Sequence, residues 1–153
     1  MGAPMRPGVV TWLGLRPQRL QPVVAADMLV LVPGQGVAGD HYASATGGAR
    51  QVTLIAEEHL HAIASFLGRD AVSAALLRRN VVVRGVNLQA LKGRTIRLGS
   101  AMLEHSGECH PCSKMEAAFG PGGYNAVRGH GGITARVLVA GEVRLGDTLE
   151  AVA

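Results

Sequence analysis

Thr95-Ile96-Arg97-Leu98-Gly99-Ser100-Ala101-Met102-Leu103-Glu104-His105 carries polar and apolar side chains in alternation up to a Gly-Ser pair and an apolar-rich run after it. A period of two places Ile96 and Leu98 on one face of an extended chain, and Gly99-Ser100 suits a tight reversal, so the stretch predicts a β-hairpin. Working outward, Val81 to Val86 is strongly β and broken at its end by Arg84-Gly85. Val9 to Leu15, Val23 to Val32 and Val52 to Ile55 are rich in β-branched and apolar residues and read as further strands. Ile133 to Val139 and Glu142 to Leu149 flank Ala140-Gly141, which predicts a second hairpin. Helical periodicity is confined to Glu57–Leu67, about two turns at Ala71–Leu77, and a short helix after Ser113. Short strands punctuated by glycine, with helices inserted rather than alternating, predict a mainly β fold. We expect a closed mixed β-barrel with two or three short peripheral helices.

The chain has 153 residues, enough for one domain with a real core and too few for two of ordinary size. Residues 8–153 are expected to form that domain, with 1–7, carrying two prolines, as a flexible tail. Hydrophobic residues make up 48% but aromatics only 3%, so the core must be built from Val, Leu, Ile and Ala. The same scarcity leaves no platform for stacking bases, which argues against nucleic-acid binding. A net charge of +4 suits an anionic ligand. No apolar run is long enough for a membrane-spanning helix. The N-terminal residues show no charged region followed by an apolar one, so a cytoplasmic location with reduced thiols is expected.

Both cysteines fall in Gly107-Glu108-Cys109-His110-Pro111-Cys112-Ser113-Lys114-Met115-Glu116. Ser113 and Glu116 have the spacing of a capping box, which places Cys112 just outside a helix N-terminus with Lys114 beside it. Dipole and ammonium both favour the thiolate, the form that attacks disulfides, carries sulfur or binds a soft metal. Thiol–disulfide exchange of the thioredoxin type needs a long helix after the motif, whereas Gly120-Pro121 stops this one after about two turns. A structural zinc site wants four ligands, and no second C-x-x-C pair exists. His41, His105, His110 and His130 would have to converge from afar. Sulfur or soft-metal chemistry beside an anionic cofactor draws on more of the chain. Arg78-Arg79-Asn80 precedes the strongest strand, and the glycine-rich loop Gly122–Gly132 brings Arg128 and His130. Gly34-Gln35-Gly36-Val37-Ala38-Gly39 matches a dinucleotide fingerprint literally but opens no helix. It therefore reads as a glycine-rich loop carrying Asp40 and His41.

The ordered set Gly36–His41, Arg50–Ile55, Leu77–Val86, Gly107–Cys112 and Gly146-Asp147 resembles the MOSC domain, named for the C-terminal domain of molybdenum cofactor sulfurase. The resemblance implies a barrel similar to the small barrel of pyruvate kinase and a site for the molybdenum–pterin cofactor (Moco). It implies a catalytic cysteine that carries sulfur or ligates molybdenum, placed by position at Cys112 with Cys109 as its companion. Arg78 and Asn80 match the segment that lies against the cofactor in molybdenum-binding relatives, and Arg50 lies in another matching stretch. On this reading Arg78, Arg128 and His130 hold the anionic tail, and Asp40 and His41 orient the pterin or carry protons. The implied activity is that of a sulfur transferase or a Moco-dependent oxidoreductase. The expected partners are the cofactor or a sulfur donor or acceptor protein, with a homodimer as a further expectation. The alternatives are a non-catalytic zinc- or thiol-binding module and a thiol–disulfide oxidoreductase.

Overall fold

The computed structural model describes residues 6–18, 21–40, 51–109 and 118–152. His41, Arg50, His110, Cys112 and the expected capping box at Ser113 lie outside these residues. Eleven strands are described: β1 Gly8–Leu15, β2 Val24–Ala25, β3 Met28–Val32, β4 Gly36–Val37, β5 Val52–Ala56, β6 Val81–Arg84, β7 Thr95–Leu98, β8 Ala101–Glu108, β9 Ile133–Val139, β10 Gly141–Arg144 and β11 Thr148–Ala151. Two α-helices, α1 Glu57–Leu67 and α2 Gly123–Val127, and a 3₁₀ turn at Leu88–Leu91 accompany them.

Seven strands run in the order β11-β7-β8-β9-β5-β6-β1, and β1 pairs with β11 to close the ring. All ladders of this barrel are antiparallel except β5–β6, which makes it mixed. The parallel pair needs a crossover, and α1 begins it directly after β5. Each residue of β5 and each of Val81, Val82 and Val83 in β6 is buried, because both faces of these strands are covered. Inward residues such as Leu54, Val81, Leu103 and Ile133 fill the barrel. Outward residues Ile55 and Val82 pack beneath α1 with Leu60, Ile63, Leu77 and Val127. Phe119 is the one aromatic among the buried hydrophobic residues described, as the composition implied.

The Gly99-Ser100 hairpin forms as expected, with Ile96 opposite Leu103 and Leu98 opposite Ala101. The second expected hairpin does not. β10 pairs with β3, and β11 pairs with β7 and β1, so 142–149 is two strands separated at Leu145-Gly146-Asp147. Val23–Val32 likewise divides into β2, on β1, and β3, on β10 and β4. In both places long-range pairing overrides the local pattern. The helix expected at Ala71–Leu77 is a run of turns ending at Arg78, and the loop expected over Gly122–Gly132 contains α2. No helix among the described residues is long and apolar enough to cross a membrane.

Candidate functional site

Thr53 alternates with the inward Val52 and Leu54 and so faces outward, as does Thr134 between Ile133 and Ala135. The two threonines are register partners across β5 and β9, and Thr134 Oγ1 lies 3.0 Å from Ser106 Oγ on β8. On the other side of Thr53 sits Asn80, fully buried at the start of β6. Its amide oxygen accepts from Thr53 N (3.1 Å), Thr53 Oγ1 (3.2 Å) and Arg16 Nη2 (2.9 Å), while Nδ2 donates to Gly14 O at 3.1 Å. A polar strip therefore crosses the outer face of β6, β5, β9 and β8, beside the apolar layer under α1.

At the Asn80 end, Arg16 Nη2 donates to Asp40 Oδ2 at 2.7 Å, and Arg16 Nε bonds both carboxylate oxygens at 3.1 Å. The backbone N–H of Arg16 adds a fourth bond, 2.7 Å to Oδ1. The side chains are 5% and 0% exposed. A buried carboxylate needs this degree of saturation, since an uncompensated charge in the interior is strongly destabilising. Asp40 thus anchors the described chain immediately before residues 41–50. Arg16 was not among the candidates, because nothing in its sequence neighbourhood distinguishes it from other basic residues.

Arg78 and Arg79 diverge. The N–H of Arg78 donates to Ala75 O and that of Arg79 to Ala74 O, the pair of bonds that closes a helical turn with a left-handed residue. Arg78 holds that conformation at φ 58°, and it is the non-glycine residue with positive φ among those described. At the end of α1 the same bonds form, from Gly68 to Ser65 O and from Arg69 to Ala64 O, with glycine in the left-handed position. The flip sends Arg78 outward, where Nη1 donates to Gln21 O (2.5 Å) and Nη2 to Gln18 O (3.2 Å). Arg79 turns inward, 8% exposed, and donates through Nε to Gly131 O at 2.7 Å and through Nη1 to Leu77 O at 2.5 Å.

Half-buried Cys109 follows the end of β8, and its N–H donates to Gly132 O at 2.9 Å. A Cβ on Gly131 would collide with the Cys109 carbonyl oxygen and sit 3.2 Å from Arg79 Nη2, so Gly131, Cys109 and Arg79 meet at one point. Arg128 is exposed at the end of α2 and makes no side-chain hydrogen bond or ion pair to a described residue. His130 packs its ring against His59 (centroids 5.1 Å apart) and Phe66 (5.4 Å), with Nδ1 buried and unpartnered among the described residues. Burial, and then the neighbouring His130, lower the pKa of His59 against a smaller opposing effect of Glu58. Asp40 and Asn80 thus share one network, Cys109 and residues 131–132 share another, and Arg79-Asn80 belongs to both. No three His, Cys, Asp or Glu side chains gather as a metal cluster among the described residues.

A barrel closed by seven mixed strands, with this strip and a cysteine at the end of β8, defines the class. The chain belongs to the MOSC domain family, whose model matches residues 39–150. Among solved structures it is similar to the YuaD protein of Bacillus subtilis, with 22% identity, 95% of this chain and 96% of that chain covered, and a TM-score of 0.84. It is also similar to YiiM of Escherichia coli (21% identity, 95% and 70% covered, TM-score 0.71) and to YiiM of Geobacillus stearothermophilus (18%, 95% and 73%, TM-score 0.70). At these identities the likeness shows the fold. No protein of curated function matches the chain at a significant level.

Proposed function

We propose that this MOSC domain binds a molybdenum–pterin cofactor and that the Cys109–Cys112 segment supplies a thiolate that carries sulfur or ligates molybdenum, Cys112 being the acting residue. The observation that carries the reading is Arg78. A left-handed non-glycine residue costs on the order of 1–3 kcal/mol and persists where surrounding structure and function require it. Glycine closes the equivalent turn after α1 without that strain.

The donors fit an anionic, soft-ligand group. A guanidinium has five N–H donors, and Arg78 uses two on backbone carbonyls, which fix it in place and leave three for a phosphate. Arg128 leaves its whole fork available. When bound, the cofactor supplies the redox-active metal and its sulfur ligands, for which a thiolate is the matched protein donor. As a sulfur carrier, the Cys112 thiolate would take the terminal sulfur of a donor persulfide and release the donor's thiolate. Asn80 and the Arg16–Asp40 pair hold the backbone from which Arg78 projects, since Arg16 Nη1 also donates to Arg78 O at 3.3 Å.

The test is metal analysis and oxidised-pterin fluorescence on protein purified gently from cells competent in cofactor synthesis. Molybdenum and pterin should co-purify near one per chain. Arg78→Ala should lower both, and Cys112→Ser should lower molybdenum most. Absence of both from the wild-type protein overturns the reading.

A further inference from the structure

We propose that Arg79 is a positioning residue for the cysteine segment, acting through Gly131. Arg79 leaves the chain at the start of β6, while Gly131 lies just before β9, and β5 runs between those two strands. Two strand spacings are about 10 Å, and the Nε–Gly131 O bond shows that the side chain links the β6 side of β5 to its β9 side. Its guanidinium is oriented at both ends of the fork, by Leu77 O behind and Gly131 O ahead. Gly131 in turn touches the carbonyl of Cys109, at a distance that no residue with a side chain would permit, and Gly132 O receives the Cys109 N–H. The strut, the glycine pair and the cysteine backbone form a continuous set of contacts from β6 to the end of β8.

Desolvating a buried cation is a costly way to tie down a turn. Leu, Met or Val at 79 would extend the apolar layer already formed there by Leu77, Ile55 and Val82. What an apolar side chain lacks is a directional, two-point hold on the peptide against which Cys109 rests. The inference rests on the cysteine segment being the reactive element, but it does not require a pterin.

The experiment measures alkylation of Cys109 and Cys112 by iodoacetamide in folded protein, with peptide mapping, far below the melting temperature of each variant. Arg79→Gln releases Gly131, so Cys109 should be alkylated at least fivefold faster than in the wild type. Arg79→Lys keeps one donor and the charge and should stay within about threefold. Gly131→Ala keeps the arginine but drives the added Cβ onto the Cys109 carbonyl and against Arg79 Nη2, and should raise the rate as Arg79→Gln does. The double variant should be no faster than the faster single one, because both changes break the same chain of contacts from Arg79 through Gly131 to Cys109. A purely structural arginine would lower the melting temperature of Arg79→Gln and leave the Cys109 rate in the folded protein unchanged. An unchanged Cys109 rate in folded Gly131→Ala overturns the proposal even if Arg79→Gln does not fold. Because no cofactor enters the assay, its outcome is independent of molybdenum or pterin content.

Discussion

Arg16 and Asp40 lie 24 residues apart and meet in a 2.7 Å ion pair with almost no exposed surface, every oxygen of the carboxylate accepting at least two hydrogen bonds. Removing one member of such a pair leaves a buried charge without compensation and costs about 3–5 kcal/mol. Asp40→Asn should therefore lower the urea midpoint sharply, and Arg16→Met should do the same. Their double variant should be less damaging than the two losses added, since no orphan charge remains. Strict additivity in equilibrium unfolding would show that the pair is not coupled.

Arg78 offers a change that should separate stability from function. Arg78→Gly relieves the left-handed strain at φ 58° and should raise unfolding stability by about 1 kcal/mol. The same change removes the cation aimed outward from the site, so co-purified pterin should fall. A variant both less stable and equally loaded with pterin would mean that the arginine's contacts with Gln18 and Gln21 are its whole role.

Asn80 is the hub through which the strip reaches the Arg16–Asp40 pair. Asn80→Ala leaves the Thr53 N–H, one Arg16 donor and the Gly14 carbonyl without their partner in a buried setting. Each orphaned group costs about 1–3 kcal/mol, offset where water enters, so a loss of about 3 kcal/mol is expected. Asn80→Leu should be at least as harmful, which distinguishes lost hydrogen bonds from lost volume. Chemical denaturation of both variants measures this.

The sequence made the strands legible where local pattern and tertiary pairing agree, as at Gly99-Ser100. It misled where they conflict. Ala140-Gly141 looks like a hairpin turn, yet Gly141 is small because the backbone of Ser100 and Ala101 presses against it. The run after Ala71 has helical composition, but no alternation of residues reveals that Arg78 will take a left-handed conformation. Within the candidate site, the sequence singles out Asp40 by its glycine-rich loop, Asn80 by its place before the strongest strand and by the family resemblance, and Cys109 by its C-x-x-C spacing. Arg16 and Arg79 were not, since an arginine that ties a buried network is written with the same letter as one on a solvated face. Only the folded chain separates Arg78 from Arg79.

The ring contact between His59 and His130 sets the last expectation. The pKa of His59 is lowered from 6.5, first by burial and then by His130, with Glu58 opposing. In the window between that lowered value and 6.5, the unfolded chain binds a proton at this position that the folded chain refuses. Stability then rises with pH, because the unfolded state holds the greater number of protons. The contribution is intact above 6.5 and is lost as pH falls through the window, levelling off below the folded-state value. Replacing the imidazole by an amide that does not titrate removes the effect. His59→Gln should thus show a smaller drop in urea midpoint between pH 7.5 and 5.5 than the wild type, whatever its stability at pH 7.5. Parallel profiles for wild type and His59→Gln would show that the buried face between α1 and His130 does not penalise the charged ring.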